Sequence, residues 1–357
     1  MVLFRRPLLS RSAIAKSVKL IISIIIPTFN RANQLTVTLA SLAKQDWHIP
    51  AEVIVVDNGS TDNTKAVVEQ FETQIPNLIY RYDAMPGLLT GRHHGAAIAR
   101  GEILCFLDDD VILNQEYLKN LAETFLNDKN LHLATGPCLP NYEVDPPQWL
   151  AHFWQHSHTG QYCGWLSLLD FGHSEIEVDP NFVWGLNFCI RKKTLIDLGG
   201  FHPDCIPDRL QQYQGDGETG LTLKAIEKGL KAKYIPGLML YHHVSKQRLT
   251  IEYLKKRAFY QGVCNSYTDL RKHPLKTSTK PASFRNRIRP YYRWIKRLFV
   301  AQPTNKNISP EIKAIIDNLA TAEKSGYHFH QTHFSREAEV RKWVLKNDYW
   351  DYQLPST

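Results

Sequence analysis

From Leu20 to about Val111 short apolar runs alternate with amphipathic stretches. LIISIII (20–26) precedes a stretch with Leu35, Leu39 and Leu42 on one helical stripe, and EVIVV (52–56) precedes one through Val67, Val68 and Phe71. LIYRY (78–82) and ILCFL (103–107) complete the series. Strand, helix, strand, helix predicts a mostly parallel sheet with helices on its faces. Leu118, Leu121 and Phe125 predict a helix over 114–125 with Asn114 as its cap. Residues 137–181, rich in Pro, His and Trp, show no period and predict a long irregular loop or lid. A helix from Glu218 to Lys228 ends at Gly229 and feeds the strand KAKYIP, and LMLYHHV follows. Beyond Ile251 the pattern is helical, with a start at Ser309-Pro310-Glu311 and a stripe of Ile312, Ile315, Ile316 and Leu319.

The composition, 43% hydrophobic and 22% charged over 357 residues, excludes a disordered or low-complexity chain. The longest apolar run, 20–26, falls far short of the roughly 20 residues that a spanning helix needs. The start lacks a leader's apolar centre and cleavage site, so export is not expected. Charge is unevenly spread: residues 1–20 carry +5, residues 271–299 carry +10, and 300–357 are neutral. Taking those two segments from the +8 of the whole leaves −7 for residues 21–270, a mildly acidic body with two basic appendages. Six cysteines without a CxxC pair predict reduced, buried thiols, in keeping with a cytoplasmic chain.

Ligands bind at the carboxyl ends of the strands in such sheets, and those ends read TFNR, DNGSTDN and DDD. Asp108-Asp109-Asp110 would repel one another without a cation, and hard oxygen ligands suit Mg²⁺ or Mn²⁺ bound together with phosphates. A solvated acidic turn is the plainer account of the same residues. Asp57 can accept from a uracil or thymine imide or from ribose hydroxyls, and it can equally cap a turn or helix with Ser60 or Asp62.

IIIPTFNR, VVDNGSTDNT and GLLTGRHHGAAIARGEILCFLDDD, in this order and spacing, resemble glycosyltransferase family 2. FVWGLNFCIRKKTLIDLGGF resembles its acceptor-side segment, and GDGETGLTLKAIEKGLKAKYIP its catalytic helix. The resemblance implies an α/β GT-A (Rossmann-like) fold over 20–250, after a basic tail at 1–19 and before a helical extension at 251–357. It implies an inverting, metal-dependent transferase that moves a single hexosyl or deoxyhexosyl unit from a UDP- or dTDP-sugar to a glycan or lipid-linked acceptor. Pro27, Thr28, Asn30, Arg31, Asp57, Arg92, Asp108 and Asp109 would bind the nucleotide sugar, with Asp108 on the ribose and Arg92 on the base or diphosphate. Asp110 with His242 or His243 would hold Mn²⁺ or Mg²⁺, and Glu218, or alternatively Asp216, would be the base. Asn58 and His93 depart from the family's usual Asp and Asn and are expected to tune donor choice. The processive synthases' Gln-x-x-Arg-Trp motif is absent.

Trp149, Trp154, Trp165 and Trp184 offer sugar-stacking faces or core packing. FRNRIRPYYRWIKRLF (284–299) resembles an interfacial helix for an anionic membrane, which predicts peripheral attachment at the inner face. Nucleic acid as a partner has no motif behind it. The rival readings are a non-catalytic glycan- or nucleotide-binding homologue, and a nucleotidyltransferase. The latter lacks a Gly-rich phosphate loop after the first strand.

Overall fold

The structure, a computed structural model, describes residues 22–272, 309–351, 353 and 354. The basic tail at 1–19 and the amphipathic segment 284–299 lie outside the described residues. Strands β1 (Ile22–Thr28), β2 (Ala51–Asp57), β3 (Leu78–Tyr82) and β4 (Ile103–Leu107) alternate with helices α1 (Ala32–Leu42) and α2 (Thr64–Gln70), as predicted, and with α3 (Leu88–Ile98), for which no stripe is read. Next come β5 (Val111–Leu113), α4 (Tyr117–Asn127), β6 (Leu131–Thr135) and β7 (Cys138–Tyr142). The stretch predicted as irregular instead forms β7 and short strands β8 (Gln155–Ser157), β9 (Gly160–Cys163), β10 (Leu168–Asp170) and β11 (Ile176–Val178). These runs of three to five residues are too short to show a period, and pairing with distant strands defines them. After β12 (Asn187–Arg191) and α5 (Lys192–Asp197) come α6 (Glu218–Glu227), β13 (Lys231–Tyr234) and β14 (Leu240–Val244). Helices α7 (Ile251–Lys272), α8 (Pro310–Arg336) and α9 (Ala338–Val344) follow.

The main sheet runs β11-β13-β6-β12-β4-β1-β2-β3, and a smaller one runs β5-β14-β7-β10-β9-β8. In the main sheet β4, β1, β2 and β3 are parallel, while β12 is antiparallel to both of its neighbours. β1 and β2 are buried along their whole length, because helices cover both faces. Ile22, Ile24 and Ile26 feed one core and Ile25 the other, as the two-residue period of a strand requires. Glu52, fully buried at the start of β2, accepts from Ser23 Oγ (2.6 Å) and Arg100 Nε (2.9 Å), which pairs its charge and ties the end of α3 to the sheet.

The Asn114 cap is displaced. Helix α4 starts at Tyr117, Asn114 Oδ1 serves the Glu116 amide, and Gln45, just beyond α1, takes the Leu118 amide at 3.0 Å. The Ser309 start holds, with its hydroxyl accepting from the Ile312 amide.

Helices α7 and α8 cross at two glycines. A Cβ on Gly262 would sit 1.9 Å from the Glu323 carbonyl oxygen, and one on Gly326 1.9 Å from that of Phe259. Backbone cannot give way as a side-chain tip can, so Gly262→Ala and Gly326→Ala are each expected to cost about 1–3 kcal/mol, read as a lower denaturant midpoint. Unchanged midpoints would show that the helices do not cross there. Val344 and Tyr349 from the carboxyl end join the core beside Phe201 and Tyr267, so α7–α9 brace the sheet.

Candidate active site

The parallel register sets Thr28 beside Asp57 at the carboxyl ends of β1 and β2. Asn30 takes a left-handed conformation (φ 52°), and its Oδ1 accepts from the Thr61 amide while its own amide donates to Ser60 Oγ. The two loops are thereby tied together. Asp57 Oδ1 accepts from the Ser60 amide and Oδ2 from Tyr80 Oη, both at 2.7 Å. Burial and this bond raise the Tyr80 phenol's pKa, so it stays a donor. Asp62 Oδ2 takes the Ala32 amide that starts α1. Pro27 packs beneath Gly91, where an added Cβ would come within 2.7 Å of it.

The three aspartates after β4 separate in role. Asp108 is partly open and lies 3.9 Å from Arg92 Nη2. Asp109 is buried, accepts from Thr28 Oγ1 at 2.7 Å and pairs with Arg31 at 3.1 Å. Burial raises its pKa to about 7. Thr28 and Asp109 thus clamp the loop from inside. Asp110 Oδ2 receives Arg31 Nη2 at 2.5 Å and Arg248 Nη2 at 3.1 Å, and Oδ1 lies 3.6 Å from His242 Nε2. Burial opposes its charge, but His242, Arg248 and Arg31 hold the carboxyl far below the usual range.

The strand period decides between the two histidines. His242 faces Asp110, whereas the neighbouring His243 side chain points to the other face, and only its backbone amide bonds the Asp110 carbonyl (2.9 Å). His243 is therefore excluded as a partner of Asp110. His242 Nδ1 lies 2.9 Å from the Leu166 carbonyl, so it carries the proton and leaves Nε2 as an acceptor, which Arg248 Nη1 meets at 2.6 Å. Asp110 Oδ1 is buried without a hydrogen-bond partner. Among the described residues no group of three or more His, Cys, Asp or Glu encloses a metal. An orphaned carboxylate oxygen beside an oriented imidazole nitrogen nonetheless fits a divalent cation that takes its remaining ligands from phosphate and water.

Glu218 and Asp216 part company. Asp216 is buried, with Oδ1 2.6 Å from His202 Nδ1 and Oδ2 accepting from Thr268 at 2.6 Å, so both oxygens are committed to structure. Asp216 lines the same cavity as Glu218, but its oxygens are engaged by His202 and Thr268, whereas Glu218 is partly open. Glu218 opens α6 and is partly exposed. Its Oε1 accepts from the Gly185 amide at 3.2 Å, and its Oε2 lies 3.3 Å from Arg92 Nη1. Arg92, expected on the base or diphosphate, is instead buried between Glu218 and Asp108. Gly185 permits this, since a Cβ there would stand 2.1 Å from Arg92 Nη2.

His93 does not reach the donor side. Its Nε2 accepts from the Phe201 amide (2.9 Å), its Nδ1 meets the Tyr349 carbonyl, and Trp350 stacks on it at 4.1 Å. Asn58 likewise spends its amide on the Met85 carbonyl. Burial lowers the pKa of His93 to about 3 and that of His330 to about 4. An unfolded chain protonates both below about pH 6.5, so between these limits the unfolded state binds more protons. Stability is therefore full above pH 6.5 and falls on acidification, by up to about 1.4 kcal/mol per pH unit for each histidine. Urea midpoints at about pH 7.5 and about pH 5 read this, and His330→Gln should flatten the acid limb. An equal slope in that variant would remove His330 from the account.

Several residues near the site carry no signal in the sequence. Arg248, six positions after His242, bonds its Nε2 (2.6 Å) as well as Asp110. Asp204 is pushed up by burial and by the nearby Glu218 charge. Cys205 is exposed and Cys264 half-buried, against the expectation of six buried thiols, though all six are free. Trp165 joins a core with Trp149 and Trp154 packed on it, and Trp184 alone of the four lines the cavity beside Glu218.

Residues 23–170 match the model of glycosyl transferase family 2. The chain is 35% identical over 109 residues to the uncharacterized glycosyltransferase YfnE of Bacillus subtilis, covering 30% of this chain and 28% of that one. It is 27% identical over 205 residues to validoxylamine A glucosyltransferase of Streptomyces hygroscopicus subsp. jinggangensis, covering 52% and 47% respectively. The chain thus spans less than half the length of these curated relatives. The structure of mannosyltransferase PcManGT from Pyrobaculum calidifontis, in complex with GDP-Man and Mn²⁺, shares the fold at a TM-score of 0.51 and 17% identity, covering 92% of this chain and 84% of that one. Residues 23–170 thus resemble glycosyl transferase family 2, and the fold is of the GT-A type.

Proposed function

We propose that the protein transfers one sugar from a nucleoside diphosphate sugar to an acceptor hydroxyl, with inversion at the anomeric carbon. The observation that carries this reading is Arg92, whose single buried guanidinium lies 3.3 Å from Glu218 and 3.9 Å from Asp108. A candidate base and the donor-side carboxylates are thereby held at one fixed separation. The nucleotide lies across the ends of β1 and β2 beside Pro27, Thr28, Asn30 and Asp57, with Asp108 toward the ribose. Asp57 keeps lone pairs for an imide N–H, which favours uridine or thymidine.

Asp110 Oδ1 and His242 Nε2 would hold Mn²⁺ or Mg²⁺, which offsets the charge that builds on the leaving diphosphate. Arg31 and Arg248, already at Asp110, bring further positive charge to the same edge. Glu218 takes the proton of the acceptor hydroxyl as that oxygen attacks from the face opposite the diphosphate. The test is nucleoside diphosphate release from a panel of UDP-, dTDP- and GDP-sugars with Mn²⁺, with Mg²⁺ and with chelator. Slow hydrolysis of one uridine or thymidine donor, stopped by chelator, is the expected result. No release, together with no calorimetric binding of any donor, ends this reading.

A further inference from the structure

The cavity that Glu218 borders runs between the start of α6, one face of α7, and the segment before β12. Trp184 stands in its wall with Nε1 fixed on the Asn181 carbonyl at 2.8 Å, which sets the ring's orientation. Thr222 and Gln261 add polar groups of the kind that meet sugar hydroxyls. Arg257, on α7, lines the same space.

Arg257 is the unusual member. Among the described residues no carboxylate lies within the 4.0 Å of an ion pair, and the direct hydrogen bond it makes, to the Gly164 carbonyl, is long at 3.4 Å. A guanidinium has five N–H donors and keeps its charge in any protein, so most of its donors are left without a partner among these residues. Glu218 and Asp204 attract it from farther off, but Glu218 already has Arg92 at 3.3 Å. A half-buried cation without a close anion is costly unless a ligand supplies one. A carboxylate or phosphate matches the planar fork of donors with two parallel, charge-assisted bonds.

We infer that the acceptor carries an oxyanion, a uronate carboxylate or a phosphate, which Arg257 binds while the hydroxyl to be glycosylated faces Glu218. This rests on the transferase reading for the role of Glu218, but the binding itself does not need turnover. Arg257 is thus the residue that selects an acidic acceptor over a neutral one.

The experiment applies the full chain, without donor, to an array of immobilised neutral, uronate-containing and phosphorylated glycans. Binding is expected only on anionic glycans, and the uronate and phosphate arms identify the source of the charge. Arg257→Gln should lose at least about tenfold in affinity and Arg257→Lys should recover part of it, with thermal midpoints checking that both variants fold. The basic segments 1–20 and 271–299 remain in every variant, so non-specific attraction cancels in the comparison. Equal binding of neutral glycans, no glycan binding at all, or an Arg257→Gln variant that binds as wild type does would each overturn the inference. Donor turnover without Arg257-dependent selectivity would sink this inference alone, and the converse result would sink the transferase reading alone.

Discussion

Glu218→Gln is expected to leave the protein folded and to slow sugar transfer by about 10²–10⁴-fold, the usual worth of a positioned general base. The amide keeps an oxygen for the Gly185 N–H, and Arg92 keeps Asp108, so the surroundings have little cause to rearrange. What is lost is the ability to take a proton. The drop should therefore appear in kcat, with the donor's KM little changed, because Glu218 lies across Arg92 from the donor-side carboxylates. Turnover within about threefold of wild type would remove Glu218 from the role. Asp204, whose charge is coupled to that of Glu218, would then be next to test.

Asp110→Asn is the second large effect. The carboxylate is the meeting point of Arg31, Arg248 and His242, and its Oδ1 is the orphaned atom on which a cation is proposed to sit. Removing the charge should abolish metal stimulation and lower turnover by about 10²–10⁴-fold, the equivalent of the several kcal/mol that a metal contributes to stabilising the leaving group. Stability should fall less than for a fully buried ion pair, since Arg31 and Arg248 keep 33% and 22% of their side-chain surfaces in solvent. Activity against Mn²⁺ concentration and a urea midpoint separate the two effects. A variant still stimulated by metal would place the cation elsewhere.

What the sequence determined by itself is local. Short apolar runs marked β1 to β4, and helical stripes marked α1 and α2 between them. Loops at the ends of those strands put Asp57 and Asp108 to Asp110 where a sheet of this kind receives ligands. Glu218 was readable as the first residue of α6, and Ser309 as the cap of α8, because both signals lie within a single turn.

Tertiary structure decided the rest, because those contacts join residues with no fixed spacing along the chain. The alternation of a strand says that His242 and His243 point to opposite faces, but only the pairing of β14 with β5 and β7 says which face holds Asp110. Asp216 and Glu218 look alike in DGET until His202 and Thr268 engage the first. His93 looked like a donor-side residue until the carboxyl-terminal Tyr349 and Trp350 closed over it. Strands β7 to β11 are three to five residues each, so their identity lies in partners brought from elsewhere in the chain. Arg248 and Arg257 reach the site from a turn and a helix that no motif marks, and only folding brings Arg248 to Asp110 and Arg257 to the cavity beside Glu218.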